Sequence, residues 1–267
     1  MPSYVVTGAS RGLGYAWITH LASLSSNTVI AIVRNKSATE ARLSKDGITN
    51  IHVLSADVTD IAAVQAAADA TATITGGGLD ILIHNAALVS ERSAFKTPLE
   101  MPPQEFEDDL MESFKANVVG ASHVLSSFLP LIRKGNVKKM IVTSTGMADE
   151  GLVTGFDVAV AAPYSISKAA VNMLVAKYHA TVGRSEGILV LAMSPGYVDT
   201  SEGKSTSEED LKVAQAMGAK FAKFAPHFTG PTSPSQSVED QLKVIERATV
   251  EEFGGQFVSH FGNKRWL

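Results

Sequence analysis

The fold of this chain is decided by the stretch Tyr4-Val5-Val6-Thr7-Gly8-Ala9-Ser10-Arg11-Gly12-Leu13-Gly14. Its apolar start predicts a buried strand over residues 4–7, and the pattern beyond the glycines predicts a helix over residues 13–24. Three glycines between a strand and a helix let a ligand approach the backbone closely and leave free N–H groups at the helix N-terminus. A tight structural turn would also explain the glycines, but the flanking strand and helix favour a phosphate-binding turn.

Strand and helix patterns alternate along the rest of the chain. Further strands are predicted at residues 29–33, 51–54, 79–83, 140–143, 188–193 and 255–260. A short helix capped by Ser37 is predicted before the third strand. Further helices are predicted at residues 61–72, from 103 to 132 in two parts, at 164–180 and at 238–248. Short, uniformly apolar strands between helices imply a parallel sheet covered on both faces. We therefore expect a doubly wound α/β fold of about seven strands in one domain over residues 1–267.

One segment departs from this alternation. Residues 201–236 are richer in Ser, Gly, Lys and Pro and lack a strong strand pattern. Because they follow the sixth predicted strand, at the edge of the sheet where ligands bind, we expect a mobile substrate lid there.

Composition narrows the class of protein. The chain has 267 residues, 45% hydrophobic content, a formal net charge of −4 and no cysteine, and its isoelectric point is near 6.0. The acidic balance argues against nucleic acid and anionic membranes as partners. Absence of cysteine excludes zinc–thiolate sites, and the seven histidines lack paired metal-ligand spacing, so no metal is expected. Without an apolar run long enough to span a bilayer, a soluble cytoplasmic protein is the expectation.

A second signal lies in the second half of the chain, in the sequence Tyr164-Ser-Ile-Ser-Lys168. The phenol and the ammonium are four residues apart and share one helix face. The lysine charge is expected to favour the phenolate and to lower the pKa of Tyr164, which makes the tyrosine a proton donor and acceptor. The pair alone is common on surface helices, but together with the glycine turn it indicates a nicotinamide-dependent oxidoreductase.

Taken together, the glycine turn and the Tyr164–Lys168 pair resemble the short-chain dehydrogenase/reductase family over nearly the whole chain, which implies a Rossmann fold. Four segments are similar to its fungal norsolorinic acid ketoreductase branch: residues 6–12, 33–35, 84–87 and 255–258. The resemblance implies NADPH-dependent reduction of a ketone or aldehyde, with a polyketide or other aromatic secondary metabolite as substrate, by a homodimer or homotetramer. Two other functions fit the same residues: dehydratase-like or epimerase-like chemistry on this fold, and a catalytically silent binding protein.

Cofactor choice depends on the end of the second strand, where an Asp or Glu would bond the ribose 2′-OH of NAD. Arg34 and Asn35 stand there instead, and Arg11 lies in the glycine turn, so two guanidinium groups suit the 2′-phosphate of NADP(H). Solvated surface arginines are the alternative, and Asp57 has a second interpretation as a helix cap. From the turn and the family resemblance, cofactor contacts are expected at Gly8, Ser10, Arg11, Gly12, Leu13, Gly14, Arg34, Asn35, Asp57, Val58, Asn85, Ala86, Tyr164, Lys168, Pro195, Gly196, Val198 and Thr200.

Reduction of a carbonyl needs a proton donor and a neutral group that stabilises the oxygen as negative charge develops. Tyr164 is the predicted acid, and the resemblance implies that Lys168 also bonds the nicotinamide ribose and that Asn117 holds a relay water. An ordinary polar helix residue is the alternative for Asn117. The hydroxyl donor is Ser144 or Thr145 at the end of the fifth strand, since only one of two successive strand residues faces the substrate. The family's register corresponds to Thr145, but we slightly prefer Ser144 because a bulge at a strand end can shift the register.

Overall fold

A seven-stranded, entirely parallel sheet forms the centre of the computed structural model, which describes residues 2–202 and 207–267. The strands are β1 (Ser3–Thr7), β2 (Thr28–Val33), β3 (Ile51–Ser55), β4 (Ile81–His84), β5 (Lys139–Thr143), β6 (Leu189–Ser194) and β7 (Phe257–Ser259). Their order across the sheet is β3-β2-β1-β4-β5-β6-β7. This is the doubly wound Rossmann arrangement expected from the sequence, and every predicted strand is present.

Helices cover both faces of the sheet. They are α1 (Gly12–Ala22), α2 (Lys36–Lys45), α3 (Ile61–Thr75), α4 (Pro103–Phe114), α5 (Gly120–Lys134), α6 (Glu150–Phe156), α7 (Ala162–Glu186), α8 (Glu208–Phe224), α9 (Pro234–Arg247) and α10 (Val250–Phe253). Within residues 2–202 and 207–267, no helix combines the length and apolar character needed to cross a bilayer.

Four helices differ from the sequence prediction, and three of them, α6, α8 and α10, were not predicted at all. The cap of α2 is Asn35, whose side chain accepts a hydrogen bond from the N–H of Ala38, and not Ser37. The segment 201–236 contains the helix α8, which the sequence analysis missed because its four-residue apolar spacing is interrupted by lysines and small residues. Residues 203–206 of this predicted lid lie outside the described residues.

The alternating side chains of each strand build two separate cores. Val6 of β1 packs with Trp17 of α1 on the face that also carries α9. Val5, its neighbour, points to the other face and packs with Phe128 of α5. Both aromatic side chains are fully buried, and each contributes about 3 kcal/mol by leaving water. The parallel sheet is therefore stabilised from both sides, as its apolar strands require.

The strand order reverses between β1 and β4, which both leave the sheet at its carboxyl edge. Helices α1 and the α4–α5 pair consequently lie on opposite faces, and a crevice opens between the two strand ends. Ligands of doubly wound sheets bind outside this switch point, so the loops after β1, β4, β5 and β6 define the candidate site.

Candidate active site

Three glycines shape the turn after β1. Gly8 and Gly12 have φ of +67° and +52°, in the left-handed region that favours glycine. A Cβ on Gly14 would lie 2.2 Å from the carbonyl oxygen of Gly8, and one on Gly8 would lie 2.7 Å from Cα of Ala86. Helix α1 begins at Gly12, within this turn. The turn keeps side chains away from the N-terminus of the helix, so a phosphate can approach the N–H groups there.

The other residues of this turn divide by exposure. Leu13 is buried in the core beneath the turn, whereas Ser10 and Arg11 are exposed above it. Leu13 therefore anchors the start of α1, and Arg11 leaves its guanidinium free to meet an anion.

Hydrogen bonds from β1 hold the end of β4 against the glycine turn. The hydroxyl oxygen of Thr7 accepts hydrogen bonds from the N–H groups of Asn85 and Ala86, both at 3.1 Å, and Asn85 Nδ2 donates to the carbonyl of Gly8 at 3.3 Å. The same Thr7 hydroxyl lies 2.9 Å from Nδ1 of His84. With both lone pairs of Thr7 engaged, its O–H donates to His84, which makes Nδ1 an acceptor.

Arg34 and Asn35, at the end of β2, are exposed at the expected ribose position, although the side chain of Asn35 is occupied as the α2 cap. The carboxylate of Asp57 accepts hydrogen bonds from the N–H and hydroxyl of Thr59, and chiefly this backbone bond lowers the pKa of Asp57. Asp57 is not the cap of α3, because Asp60 fills that position.

Val58 follows Asp57 and packs against α5. A Cβ on Gly120 would lie 2.9 Å from Cγ2 of Val58, and the carbonyl of Val58 is 3.0 Å from Nδ1 of His123. Val58 is thereby fixed by helix α5, and its neighbour Asp57 stays in place beside the crevice.

The loop after β6 begins with Pro195 and Gly196. The carbonyl of Pro195 accepts a hydrogen bond from the hydroxyl of Ser237 at 2.7 Å. Gly196 has φ of +84°, and a Cβ there would lie 2.7 Å from the ring of His260. Pro195 is thus held in place by a contact with α9, and Gly196 by a contact with the residue that follows β7.

Further along this loop, Val198 and Thr200 approach the site. Val198 forms a parallel bridge with Thr232. Thr200 reaches the glycine turn, since a Cβ on Gly12 would lie 3.2 Å from Cβ of Thr200. The loops after β1 and β6, which are distant in sequence, therefore meet.

Tyr164 and Lys168 lie in the first two turns of α7, with the Lys168 nitrogen 5.9 Å from the centre of the Tyr164 ring. Lys168 is 1% exposed, and its ammonium donates to the carbonyl of Thr143 at 2.7 Å. Burial lowers the pKa of Lys168 to about 7 and raises the pKa of Tyr164 to about 12. Burial thus dominates the pKa of Tyr164, and the hydrogen bond with Thr145 opposes it; the lowering of this pKa by the charge of Lys168 stays a prediction.

The geometry separates the two candidate hydroxyl donors. The Ser144 hydroxyl is buried and donates to Oδ1 of Asn172 at 2.6 Å. The Thr145 side chain acts on Tyr164 as a hydrogen-bond partner that lowers the pKa of the phenol, opposing the larger effect of burial. Thr145 also lines the cavity described below. This placement favours Thr145 over Ser144 as the group that faces a substrate.

Asn117 lies in a π-helical turn, Lys115–Val119, that joins α4 to α5. Its side chain clamps the loop after β4: Oδ1 accepts from the N–H of Leu88 at 2.7 Å and Nδ2 donates to the carbonyl of Leu88 at 3.0 Å. Nδ2 also donates to the hydroxyl of Ser167 at 2.9 Å. Asn117 thus connects the loop after β4 to α7, the helix that carries Tyr164 and Lys168.

A small cavity of about 50 Å³ opens beside Thr145. Its lining is largely apolar and includes Met147, Leu152, Tyr197, Phe221 and Trp266. The rings pack on one another: Tyr197 and Phe221 are 5.5 Å apart edge to face, and Trp266 stacks on Phe257 at 4.3 Å. We call these five lining residues together with Phe257 the aromatic wall.

Sequence reasoning missed several residues of this region. Trp266 is 2% exposed and packs onto Gly146, where a Cβ would lie 2.5 Å from Cβ of Trp266. Arg42 of α2 and Glu202 meet at the glycine turn, in an ion pair with a 3.0 Å separation. No local pattern marks these contacts, because each joins segments far apart in the chain; the glycine at position 146 was the one available signal for a close approach.

The glycine turn at the switch point and the Tyr164–Lys168 pair facing the same crevice define a dinucleotide-binding protein of the doubly wound class. Residues 3–211 match the family described as short chain dehydrogenase. The chain is 51% identical to the short-chain dehydrogenase/reductase AacuF of Aspergillus aculeatus over 267 residues, and 47% identical to the short chain dehydrogenase virK of Hypocrea virens over 272, in both cases along the whole of each chain. This chain belongs to the short-chain dehydrogenase/reductase family.

The fold agrees with this assignment. The NADPH-bound carbonyl reductase from chicken fatty liver superposes with a TM-score of 0.76 at 25% identity, over 98% of each chain. The protein is therefore an oxidoreductase of a family that uses nicotinamide cofactors and acts on small molecules.

Proposed function

We propose that this protein is an NADPH-dependent carbonyl reductase in which Tyr164 donates the proton. The observation that carries the proposal is the position of Thr145, which lines an apolar cavity and lies near enough to Tyr164 to lower the pKa of the phenol, with the buried Lys168 on the next turn of α7. A hydroxyl pair beside a buried amine provides a proton and a hydrogen-bond donor at one point, which is what a carbonyl oxygen needs during reduction.

The residues around the crevice fit a dinucleotide. When bound, the nicotinamide supplies the hydride for the carbonyl carbon. The glycine turn would hold the phosphates at the start of α1, and the exposed Arg11 and Arg34 would face the ribose that carries the 2′-phosphate. Two cations, and no carboxylate in the first position after β2, support NADP(H) over NAD.

The proton chemistry follows from burial. A pKa of about 12 keeps the Tyr164 phenol protonated at neutral pH, so it enters the reaction as an acid. Lys168, with a pKa near 7, takes up a proton readily when negative charge appears on the phenol. The neutral hydroxyl of Thr145 donates a hydrogen bond to the substrate oxygen as charge grows there. Asn117 keeps α7 in register with the loop after β4 through Ser167 and Leu88.

The aromatic wall supports an apolar, planar ketone as substrate. Tyr197 is a partly exposed ring against which a flat molecule can stack, and the buried Phe221 supports it from behind. A polyketide or another aromatic metabolite has this character, in agreement with the sequence resemblance. We propose that the described part of segment 201–236 covers the substrate, because Met217 and Phe221 of α8 line the cavity.

We also propose a homo-oligomer formed through α4 and α7. These helices pack on each other and expose large apolar side chains, namely Met111 and Phe114 on α4 and Ile166 and Met173 on α7. A patch of this kind is typical of a protein–protein contact.

The decisive experiment measures oxidation of NADPH, and separately of NADH, with a panel of aromatic ketones, quinones and simple aldehydes. Tyr164→Phe should lower kcat by about 10³-fold while NADPH still binds, because the proton donor is lost. Thr145→Val should lower kcat by about 10²-fold, and Ser144→Ala, the matched control, by less than about threefold. Tight NADPH binding without turnover of any compound would favour a silent binding protein, and equal losses in the two hydroxyl variants would contradict the role of Thr145.

A further inference from the structure

The N-terminus of α1 already carries an anion from the protein itself. The N–H of Gly12 donates a hydrogen bond to Oε1 of Glu202 at 2.9 Å. Glu202 belongs to the segment after β6, 190 residues away in sequence. A carboxylate at this position uses the same N–H donors and the same helix-end field that bind a phosphate.

Arg42 holds this carboxylate from the other side. Its Nη1 is 3.0 Å from the same Oε1 of Glu202 and 3.2 Å from the carbonyl of Ser10 in the glycine turn. The guanidinium lies 3.8 Å from the centre of the Tyr15 ring, and the hydroxyl of Tyr15 donates to Asp46 at 2.5 Å. Arg42 is thus positioned at the turn by a stacking surface, independently of its partner Glu202.

The backbone around Glu202 is bent toward the turn. Glu202 has φ of +49°, which is unfavourable for a residue other than glycine. Thr200, two residues earlier, rests on Gly12, where a Cβ would lie 3.2 Å from Cβ of Thr200. The hydrogen bond from Gly12 is the largest cause that lowers the pKa of Glu202, so the carboxylate is charged at neutral pH.

We propose that Glu202 is an internal anion in the phosphate subsite of the glycine turn, and that Arg42 exchanges Glu202 for a phosphate group of the incoming dinucleotide. Arg42 is then a cofactor-binding residue additional to Arg11 and Arg34. Glu202 competes with the cofactor for the Gly12 N–H and for Arg42, so the carboxylate of Glu202 leaves the turn when the dinucleotide binds. This inference rests on the proposed function, since it needs a dinucleotide that occupies the glycine turn.

The test compares Glu202→Gln with Glu208→Gln by isothermal titration calorimetry with NADPH at low ionic strength. Glu208, in the first turn of α8, has the same charge in the same part of the chain. Glu202→Gln should bind NADPH about fivefold more tightly than wild type, because the ion pair with Arg42 and the negative charge at the helix end are lost, and the remaining neutral contact competes less well with a phosphate. Its unfolding midpoint without NADPH should fall by about 2 °C. A loss of stability together with a gain in affinity is not expected from a residue with a purely structural role.

Arg42→Gln tests the exchange. This variant should bind NADPH about fivefold more weakly than wild type. In the double variant with Glu202→Gln, the affinity for NADPH should recover by less than about twofold. Tighter binding by Arg42→Gln would overturn the exchange, and equal dissociation constants in Glu202→Gln and Glu208→Gln would overturn the competition. If neither NADPH nor NADH binds to wild type or to any variant, the proposed function itself is wrong, which is a different result from either of these.

Discussion

The two sides of the candidate site owe their shape to different parts of the chain, the backbone on one side and side chains on the other. On the glycine side, residues 7–14 and 84–86, the shape comes from backbone: glycines in left-handed conformations and N–H groups bonded to Thr7. On the other side, the aromatic wall is made of side chains from β7, α6, α8, the loops after β5 and β6, and the C-terminal segment, which meet by apolar and ring packing. Backbone geometry requires particular residues at particular positions, whereas apolar packing accepts many combinations of rings and aliphatic groups. The glycine side should therefore tolerate substitution poorly, and the aromatic wall should tolerate it well apart from its largest ring.

Gly14→Ala is expected to have the largest effect. The new methyl group would lie 2.2 Å from the carbonyl oxygen of Gly8 and 2.7 Å from Nδ2 of Asn85, where the backbone atom cannot move aside. We expect a loss of about 4 kcal/mol in the free energy of unfolding, measured with urea, and no detectable NADPH binding. Gly218→Ala in α8, where nothing lies within 4 Å, is the control and should gain about 0.5 kcal/mol. A mild effect at Gly14 would show that the turn adapts as freely as the aromatic wall.

Trp266→Ala comes next and probes the other side. Its ring is 2% exposed and stacks on Phe257 with 4.3 Å between ring centres. Removing it should cost about 3 kcal/mol of unfolding free energy and raise KM for an aromatic ketone, because it opens a cavity. The dissociation constant of NADPH should stay within about twofold, since Trp266 is not in the glycine turn. A large loss of NADPH affinity would mean that the two sides are not independent.

His84→Asn comes last, and its informative effect is a change in the pH dependence of stability, in addition to a pH-independent cost of replacing a buried ring. Burial, and then the nearby Lys168, lowers the pKa of His84 from 6.5 to about 3. The unfolded chain therefore takes up this proton first as the pH falls below 6.5, and the folded state loses stability. When the pH falls from 7.5 to 5, the free energy of unfolding of the wild type should decrease by about 2 kcal/mol more than that of the variant.

The measurement is urea unfolding at the two pH values. His52→Asn, at an exposed position on β3, is the matched control and should behave as wild type. Equal pH dependence in wild type and His84→Asn would show that His84 is solvated, and that the boundary between the two sides of the site is looser than the structure indicates.

Much of the fold was predictable because its signals are local. The helix α3, predicted over residues 61–72, ends at Thr75 and is closed by Gly76 in the left-handed conformation. The two-part helix from residue 103 appears as α4 and α5, joined by the π-helical turn that contains Asn117. Helix α8 was missed because lysines and small residues interrupt its apolar spacing, in agreement with its single buried residue, Phe221.

The site was predictable only in part, for the same physical reason. The glycine turn and the Tyr164–Lys168 pair are each short patterns on one element. The choice between Ser144 and Thr145 depends on Asn172 of α7, which accepts a hydrogen bond from the Ser144 hydroxyl. The pKa of Tyr164 depends on burial by the whole site, and burial cannot be read from helical spacing alone.

By itself, then, the sequence determined the parallel sheet, the glycine turn and the Tyr164–Lys168 pair on one helix, since apolar periodicity and glycine conformation act over a few residues. Only the tertiary structure decided which hydroxyl meets Tyr164, which rings form the aromatic wall and which carboxylate approaches Gly12. Glu202 and Arg42 are 160 residues apart, and such contacts depend on how the chain folds back at the carboxyl edge of the sheet. Local preference cannot specify them, because their energy is gained only when distant elements are packed together.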